Sequence, residues 1–598
     1  MVPAEQEHAE QSRRGGPGRE RKRRAGRGRQ VDARALAEVR EAIGLTDEPA
    51  ADHRAHGAPP LRRDLLIEYL HRLQDRFGQL GTPHLAALAS LMRLSQAEVF
   101  EVASFYHHFD VVREDAEGRV PAPPKLTVRV CDSLSCALAG GEQLLSRLRS
   151  VLGGDVRVLS APCVGRCEQA PVAVVHQQPV PHATVESVQA AVAGGVRTPA
   201  PEPYIDLPAY RATGGYARLA ECLEGRRSAD SVIETLEHAG LRGLGGAGFP
   251  AGRKWRILRG QPAPRLVAVN IDEGEPGTFK DRALLERDPH RFLEGMLIAA
   301  WAIDAAGLYI YLRDEYHACR ALLEAELAAL RDAAPWPASW TPPTIELRRG
   351  AGAYVCGEES AMIESIEGKR GWPRLRPPYV AEVGLFGRPT LEHNFETLYW
   401  VPELLTHGAE WFAAQGRHGR KGLRRFSVSG RVRAPGVKLA PAGITLRELV
   451  DEHCGGMLPG HELYAYLPGG ASGGILPAAL ADVPLDFDTL QPHGCFIGSA
   501  AVIVLSQHDR AVDAARNVMR FFAHESCGQC TPCRAGTAKA SALIEGDTWD
   551  LTLLADLSAV MREASICGLG QAAPNPVDCV VRYFAHELSE TKPAEGTT

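Results

Sequence analysis

Apolar residues recur every three or four positions near the start of the chain, and this period predicts helices over residues 61–109. One such stripe consists of Leu66, Tyr69, Leu70, Leu73 and Phe77. Further along, Ser95 is followed three positions later by Glu98, a capping-box pattern that marks the start of another helix. The pattern therefore predicts a small helical bundle over 59–120.

The pattern changes to strand-like runs after a Pro-rich turn at 121–124. The first strand runs directly into Cys131. We predict a compact α/β module over 121–195, built from a strand over 126–130, a helix over 141–152, a strand over 156–159 and an apolar run over 172–175.

The middle of the chain alternates strands with longer helices. Residues 196–230 read as a linker, because proline and polar residues dominate their first half. Beyond them we predict strands over 266–269, 308–312 and 344–347 and helices over 289–306 and 316–331. This alternation is typical of a mostly parallel sheet covered by helices, here over 231–420.

The last third of the chain divides into two further modules. Short strand-like runs and Gly/Pro turns predict a small β-rich domain over 421–510. Residues 511–598 read as helices around several cysteines. The whole chain is therefore predicted to be an α/β multidomain protein.

Composition supports a multidomain globular protein and excludes several other classes. The 598 residues are too many for one core, and 45% of them are hydrophobic and 23% charged. The net charge of −6 gives no signal for nucleic acid. Residues 13–29 contain nine basic residues and one acidic residue, so we expect 1–58 to be a disordered, solvated tail rather than a contact for nucleic acid or membrane.

The expected cellular location rests on the absence of an export signal and of a long apolar run in the sequence. The apolar stretch of a twin-arginine export signal does not follow the basic run, and no run of eighteen apolar residues occurs. We therefore expect a cytoplasmic protein without a membrane span. In a reducing compartment the fourteen cysteines are expected to serve metal sites more than disulfides.

The C-terminal cysteines have the spacing of an iron–sulfur site. Three of them, Cys527, Cys530 and Cys533, follow one another at three-residue steps, and Cys567 supplies a distant fourth thiol. This pattern is typical of a [4Fe–4S] cluster. Structural zinc, which more often uses separated Cys-x-x-Cys pairs, is the alternative.

A second set of four cysteines lies in the N-terminal α/β module. It consists of two pairs, Cys131 with Cys136 and Cys163 with Cys167, each next to a predicted strand. Two thiolates per iron suit a [2Fe–2S] cluster, while zinc remains the alternative. The other six cysteines lack such spacing and are expected to be buried small hydrophobes: Cys222, Cys319, Cys356, Cys454, Cys495 and Cys579.

A glycine-rich segment and two acidic turns supply candidate ligand contacts. Gly243, Gly245 and Gly248 match a dinucleotide fingerprint, but the residues before them read as a helix, so an ordinary Rossmann first turn is not expected. Lys254 follows as a charge for a phosphate. Acidic turns around 272–275 and 357–359 follow two predicted strands. Carboxylates at strand ends suit a ligand rich in hydroxyl groups.

Long motifs in this chain resemble the flavin-containing, NADH-oxidising subunit shared by complex I, soluble NAD-dependent formate dehydrogenases and NAD-reducing hydrogenases. They lie at 240–255, 270–282, 352–360 and 525–536, and the resemblance covers 235–585. Residues 61–194 are similar to the separate thioredoxin-like [2Fe–2S] subunit of those systems. The chain thus resembles a fusion of two subunits, which implies a Rossmann-like FMN/NADH domain and a ubiquitin-like domain of the SLBB type.

The resemblance also implies which residues hold the cofactors. For FMN it implies Gly243, Gly245, Gly246, Lys254, Asn270, Asp272, Glu273, Gly357, Glu358 and Asn394. For NADH it implies stacking on Phe249, with Glu275, Glu359, Arg376 and Tyr379 around the nucleotide. Three residues depart from the family pattern: Leu244 stands where many relatives have Arg, Ile257 replaces an aromatic residue and His393 replaces a second Asn.

The implied activity is hydride exchange between NAD(H) and FMN and single-electron exchange with the two clusters. Hydride transfer needs no side-chain acid or base, so no catalytic residue is assigned. The chain offers no second substrate site, which implies a separate catalytic subunit. The layout is most similar to the β subunit of a soluble formate dehydrogenase, whose partner would be a molybdenum- or tungsten-containing α subunit. The alternatives are a hydrogenase diaphorase subunit, a complex I subunit and, from another class, a non-catalytic iron–sulfur scaffold.

Overall fold

The computed structural model describes residues 30–45, 61–195, 198–546 and 548–589. Its first module is helical, as predicted, and a short parallel strand pair closes it. The elements are α1 Ala33–Ala42, α2 Leu66–Phe77, β1 Leu80–Gly81, α3 Thr82–Met92, α4 Gln96–Ala103 and β2 Val111–Val112. The Ser95–Glu98 capping box forms at the start of α4. Helix α1 lies within the predicted disordered tail, whereas the basic run at 13–29 lies outside the described residues.

The second module is an α/β domain with a four-stranded sheet in the order β4-β3-β5-β6. Its elements are β3 Leu126–Cys131, α5 Leu134–Leu138, α6 Gly141–Val151, β4 Val156–Ala161, β5 Ala173–Val175, β6 Gln178–Val180 and α7 Val185–Ala193. Strands β3 and β4 run in parallel, with Cys131 paired to Ala161. Both cysteine pairs therefore follow strands that end at the same edge of the sheet.

The segment predicted as a linker contains two helices, α8 Leu207–Ala212 and α9 Ala217–Leu223. The carboxylate of Glu294 accepts hydrogen bonds from the Tyr210 hydroxyl (2.6 Å) and the Tyr216 amide (3.0 Å). Tyr210, Tyr216 and Leu219 are buried. The proline-rich composition concealed this apolar set, so most of the segment is packed structure rather than a free connection.

The central domain contains a parallel four-stranded sheet in the order β10-β7-β8-β9. Its strands are β7 Arg265–Ile271, β8 Ala305–Leu312, β9 Thr344–Arg349 and β10 Thr390–Asn394. Its helices are α10 Ala229–Ala239, α11 Ala251–Arg259, α12 Lys280–Leu285, α13 Pro289–Ala302, α14 His317–Asp332, α15 Glu359–Ile366, α16 Phe395–Tyr399, α17 Val401–His407 and α18 Ala409–Ala413. The three predicted strands are confirmed.

Strand β10 was not predicted, yet it pairs with β7 and brings Asn394 opposite Asn270. Its residues Glu392 and His393 are both buried. A short strand with buried charged or polar residues on both faces lacks the alternation that identifies strands in a sequence. The pairing gives the sheet a carboxyl edge at which the predicted polar residues converge.

The β-rich domain has a five-stranded sheet in the order β12-β11-β15-β13-β14. Its elements are β11 Leu423–Gly430, β12 Gly436–Pro441, α19 Leu446–Glu448, β13 Leu463–Leu467, β14 Leu476–Pro477 and β15 Ala501–Ser506. Strand β15 is buried along its whole length. The sheet packs beside the central domain, because a Cβ added at Gly277 would lie 2.9 Å from the Ile503 side chain.

The C-terminal module is helical, as predicted. Its helices are α20 Ala511–Glu525, α21 Thr531–Ile544, α22 Leu551–Ala564, α23 Gly568–Ala572, α24 Asn575–Tyr583 and α25 His586–Ser589. Helix α20 buries one apolar side along its full length. None of the helices in the described part of the chain is long and apolar enough to cross a membrane.

Candidate functional site

The glycine-rich segment lies between two helices, not after a strand. Helix α10 ends at Gly240, which has a left-handed backbone, and α11 starts soon after Phe249. The Gly243 amide donates to the Phe249 carbonyl oxygen (2.8 Å), which folds the segment back on itself. A Cβ at Gly245 would lie 2.9 Å from Asn394 Cβ. Glycine is therefore required where this loop crosses the end of β10.

The carboxyl edge of the sheet opens into a cavity with an empty volume of about 1000 Å³, which we call the carboxyl-edge pocket. The Asn270 side chain fixes one wall by donating to the Gly357 carbonyl oxygen (2.8 Å) and accepting from the Asp272 amide (3.0 Å). Nine predicted site residues line this pocket: Gly245, Gly246, Asn270, Asp272, Glu273, Glu275, Gly357, Glu358 and Asn394.

Two neighbouring carboxylates in the pocket wall, those of Glu273 and Asp272, differ in their hydrogen bonding. Glu273 accepts from the amides of Asp281 (2.8 Å) and Arg282 (3.1 Å), so it caps the start of α12. Burial raises the pKa of Glu273 to about 7. Asp272 Oδ2, by contrast, is buried without a hydrogen-bond partner. An acceptor left open in the pocket wall fits a ligand hydroxyl group that donates to it.

A buried ion network holds the base of the pocket. Lys280 is 1% exposed, and its Nζ lies 2.7 Å from Asp281 Oδ1 and 3.1 Å from Glu396 Oε2. Asn394 donates to Asp281 Oδ2 (2.6 Å) and accepts from the Glu396 amide (3.0 Å). The network ties the start of α12 to the end of β10, so Asn394 is held in a fixed position.

Lys254 lies between two carboxylates of the central domain. Its Nζ is 3.2 Å from Glu392 Oε2 and 3.6 Å from Glu359 Oε2. Those charges raise the pKa of Lys254 despite the opposing effect of burial. Arg376 contacts both Glu358 and Glu359. One charged cluster therefore contains four of the predicted site residues, Lys254, Glu358, Glu359 and Arg376. Glu392 also belongs to this cluster and was not predicted from the sequence.

Glu275 joins three parts of the chain. Its carboxylate accepts from the Tyr354 hydroxyl and from the amide and hydroxyl of Ser472 (both 2.7 Å). Ser472 belongs to the β-rich domain and lines the carboxyl-edge pocket. Burial raises the pKa of Glu275. Its side chain therefore fastens the β-rich domain to the pocket wall.

The two aromatic side chains predicted around the nicotinamide nucleotide are exposed. Phe249 is 42% exposed and Tyr379 is 55% exposed, as expected of side chains that stack on a ligand. Ile257, one of the three departures from the family pattern, is 39% exposed. The others are buried: His393 accepts from Trp255 Nε1 (2.7 Å), and Leu244 is 6% exposed.

The N-terminal cysteines converge in space. Cys131, Cys136, Cys163 and Cys167 are all buried, and the Sγ atoms of Cys163 and Cys167 are 3.3 Å apart. The Cys131 thiol interacts with the thiols of both Cys136 and Cys163. Four thiols within mutual reach fit the ligand set of a two-iron cluster.

The loop that carries two of these cysteines docks directly on the central domain. Arg313 donates to the Cys163 carbonyl oxygen (2.7 Å) and to the Glu273 carbonyl oxygen (2.5 Å). Arg282 Nε donates to the Gly165 carbonyl oxygen (2.8 Å). Phe279 packs against the two cysteine side chains. The N-terminal cysteine site therefore lies against the outer side of the pocket wall that Glu273 belongs to.

The C-terminal cysteines converge on the opposite side of the pocket. Cys530 precedes α21, Cys533 lies in its first turn and Cys567 precedes α23. A Cβ at Gly570 would lie 2.8 Å from Cys533 Cβ, so glycine lets α23 approach the other cysteines. Burial raises the pKa of Cys533 to about 11 and that of Cys567 to about 12. Cys527 and Cys530 act electrostatically on Cys533, and Cys527 acts on Cys567, so the four thiols lie near one another, as an iron–sulfur ligand set requires.

The same α23 also reaches the pocket. Its residues Gly568, Leu569 and Ala572 line the carboxyl-edge pocket, next to Cys567. The pocket therefore lies between the two cysteine quartets. A glycine-lined pocket with an open acceptor, flanked by two iron–sulfur ligand sets, defines an electron-transfer oxidoreductase subunit that uses a flavin.

Comparison with known families supports each part of this description. Residues 53–194 match the thioredoxin-like [2Fe-2S] ferredoxin family, 236–403 the Nuo51 FMN-binding domain, 425–476 the SLBB domain and 513–591 the NADH-ubiquinone oxidoreductase-F iron-sulfur binding region. The predicted multidomain fold and the predicted cofactors FMN, [2Fe–2S] and [4Fe–4S] are confirmed. The chain belongs to the family of NADH-quinone oxidoreductase F-type proteins, and it is an NAD-dependent oxidoreductase subunit.

Individual relatives show how far the similarity extends. The chain is 42% identical over 393 residues to the second F-type NADH-quinone oxidoreductase protein of Rhizobium meliloti, covering 64% of this chain and 93% of that protein. It is 40% identical over 376 residues to the mitochondrial NADH dehydrogenase [ubiquinone] flavoprotein 1 of Dictyostelium discoideum, covering 60% of this chain and 78% of that protein. A chain of an NAD⁺-reducing [NiFe]-hydrogenase in its H₂-reduced state superposes with a TM-score of 0.77 and 33% identity, covering 89% of this chain and 94% of that chain.

Several pocket residues could not be found from the sequence. Lys280 and Asp281 lie in the 270–282 motif, but their buried network depends on Glu396 and Asn394, which are more than a hundred positions away. Ser472 and Phe496 reach the pocket from the β-rich domain. A spacing signal identifies residues near one another in the chain, and these contacts exist only after the domains have packed.

Proposed function

We propose that this chain exchanges hydride between NAD(H) and FMN in the carboxyl-edge pocket and passes single electrons to both cysteine sites. The observation that carries the proposal is the position of the pocket, with α23 and Cys567 on one side and the Cys163 loop on the other. Bound FMN supplies the conversion between two-electron and one-electron transfer. A scaffold without flavin would not need the open acceptor at Asp272.

We assign the chain's own residues binding and positioning roles. The amides of Gly245 and Gly246, with Lys254 nearby, suit the flavin phosphate, while Gly243 shapes the loop through its hydrogen bond to Phe249. Asp272 Oδ2 would accept a hydrogen bond from a hydroxyl of the flavin side chain. Asn270 and Asn394 keep the sheet edge rigid through their hydrogen bonds to Gly357 and Asp281. Phe249 and Tyr379 offer exposed rings to the nicotinamide nucleotide, with Arg376 beside Glu359.

The Lys254→Glu variant is expected to lose at least about 90% of its flavin, a change of roughly 1.4 kcal/mol or more in binding. The substitution places a third carboxylate beside Glu359 and Glu392 and opposite the flavin phosphate. Flavin per chain is measured by absorbance after release, with iron content and circular dichroism as folding checks. Arg256→Glu is the matched control, since it reverses an exposed charge on the same helix. Normal flavin content in the Lys254 variant contradicts the phosphate assignment.

We expect the enzyme to prefer NADH over NADPH by about tenfold to a hundredfold in kcat/KM, or ~1.4–2.8 kcal/mol. Carboxylates near the nucleotide repel the extra phosphate of NADPH, and Glu359 is the more accessible one because Glu275 is held by Tyr354 and Ser472. Glu359→Gln should narrow the preference. Glu364→Gln should leave the preference unchanged. Glu364 lies on the same helix, but its carboxylate pairs with Arg374. Equal kcat/KM values in the unmodified protein would exclude this role for the acids.

We propose a cytoplasmic hetero-oligomer as the native state, in which a separate subunit carries the second substrate site. A formate dehydrogenase α subunit with molybdenum or tungsten is the first candidate, supported by the complete N-terminal cysteine set at 131–167. A hydrogenase is the second, favoured by a specific observation: the hydrogenase chain covers 89% of this chain, N-terminal modules included.

Isolation of the native complex distinguishes the two partners. Metals are measured in the complex, and formate and hydrogen are tested as donors for NAD⁺ reduction. Molybdenum or tungsten with formate activity identifies the first partner, and nickel with hydrogen activity identifies the second. A quinone-reactive membrane complex would contradict both and assign the chain to complex I.

A further inference from the structure

We propose that His107, His524 and Glu525 form a binding site for a divalent transition metal of the zinc class. One imidazole nitrogen of each histidine and one carboxylate oxygen lie within 4.8 Å of one another. The site is separate from both cysteine quartets. It lies where the segment after α4 meets the end of α20, so it connects the first module to the C-terminal module.

The distances suit a zinc ion. His107 Nδ1 lies 3.7 Å from Glu525 Oε1, and His524 Nε2 lies 3.9 Å from the same oxygen. Tetrahedral ligands about 2.0–2.1 Å from one zinc ion are separated from each other by roughly 3.3–3.5 Å. A side-chain movement of about 0.5 Å therefore brings Glu525 Oε1 and each of these imidazole nitrogens to the separation of two zinc ligands.

The surroundings also favour a cation. Glu525 is 5% exposed, and its second oxygen accepts from the Tyr354 amide (3.0 Å), which orients the carboxylate. Within the described ranges, no lysine or arginine forms an ion pair with Glu525. The two histidines are exposed, and their rings lie 4.2 Å apart with an interplanar angle of 30°. A partly buried carboxylate that only two imidazoles face is a ligand set for zinc.

A second histidine group nearby differs in the state of its carboxylate. In the group of His71, His108 and Asp314, one Asp314 oxygen lies 2.6 Å from His108 Nδ1 and the other accepts from Arg349 Nε at 2.5 Å. That carboxylate is already neutralised by a guanidinium group, which repels a metal ion. The comparison selects the Glu525 group as the metal site.

The proposed site lies on a cavity between the modules, which we call the interdomain cavity. His107, His524 and Glu525 line it, and so do Cys163 and Asp272. Three protein ligands leave one zinc position open toward the cavity, where water can bind. Zinc would thereby fasten the first module to the C-terminal module beside the path between the two cysteine sites.

The test uses the full chain with both clusters in place. Each variant replaces one histidine with Asn: His107→Asn, His524→Asn and, as control, His176→Asn on the same cavity. After dialysis against zinc, the unmodified protein and the control should hold about one more zinc ion per chain than either site variant. Zinc should also raise their melting temperature by a few degrees, since it binds only the folded state. Iron per chain is measured throughout, so that loss of a cluster is visible.

Cobalt substitution gives a result that does not depend on any variant. In the difference spectrum between cobalt-loaded and cobalt-free protein, which removes the absorption of clusters and flavin, cobalt bound by two imidazoles and a carboxylate should show visible d–d bands without the strong near-ultraviolet absorption of a cobalt–thiolate bond. A thiolate band would show that the ion occupies cysteines and would overturn the proposal. Equal zinc content in the unmodified protein and both site variants would overturn it as well, as would loss of zinc in the His176 control.

Discussion

Replacing Lys280 with methionine is expected to lower the free energy of unfolding by about 3–5 kcal/mol. The substitution removes the cation that lies 2.7 Å from Asp281 and 3.1 Å from Glu396. Among the described residues, it leaves Asp281 without an ion pair and Glu396 with only the longer one to Arg425 (3.6 Å). Chemical denaturation followed by circular dichroism measures the change. Flavin content should fall with it, because Asp281, which accepts a hydrogen bond from Asn394, is no longer held in place by the lysine.

A matched control distinguishes the effect of breaking the buried ion network from the effect of replacing a lysine as such. Lys421→Met makes the same substitution at an exposed position, and in the described part of the chain no carboxylate pairs with that lysine. Its effect should stay within about 0.5 kcal/mol. Similar free energies of unfolding in the two variants would show that the buried network does not stabilise the fold.

Replacing Cys530 with alanine is expected to remove the [4Fe–4S] cluster and lower the iron content from about six atoms per chain to about two. Transfer of electrons from NADH to the native partner should fall to background, because one of the four thiols beside the carboxyl-edge pocket is missing. Direct reduction of a small dye at the flavin should survive in part. Iron analysis, electron spin resonance and the two assays test these expectations.

Two further variants make that result specific. Cys454→Ala removes a buried thiol in the β-rich domain and should leave all the iron in place. Cys163→Ser should remove only the [2Fe–2S] signal. If zinc rather than iron decreases in the Cys530 or Cys163 variant, the corresponding site is a zinc site and the cluster assignment fails.

Local patterns in the sequence were sufficient for most of the fold. The strands over 266–269, 308–312 and 344–347 were predicted because they are continuous buried runs between helices with clear apolar periods. Strand β10 was missed because Glu392 and His393 are buried polar residues in a short strand. The helices in the supposed linker were missed because their apolar residues pack on Glu294 and α13, which no local pattern indicates.

The two cysteine quartets were more accessible to prediction than the contacts between domains. Thiol spacing reports directly on a shared metal, so the quartets could be recognised residue by residue. Glu273 and Glu275 were expected to face the cofactors, and both line the carboxyl-edge pocket. Their side chains also have contacts within the protein that were not predicted, as a helix cap and as a connection to Ser472. A carboxylate in a motif has the same sequence signature whether it binds a ligand or a neighbouring domain.

The carboxyl-edge pocket is enclosed by the central domain, by Ser472 and Phe496 of the β-rich domain, and by Gly568 at the start of α23. A ligand held by all three domains keeps its full set of contacts only while the domains stay together, so its residence time depends on domain separation as well as on local contacts. Substitutions far from the pocket that loosen these junctions would therefore shorten cofactor retention during purification. An isolated central domain would exchange flavin quickly, even with every residue of its glycine loop intact.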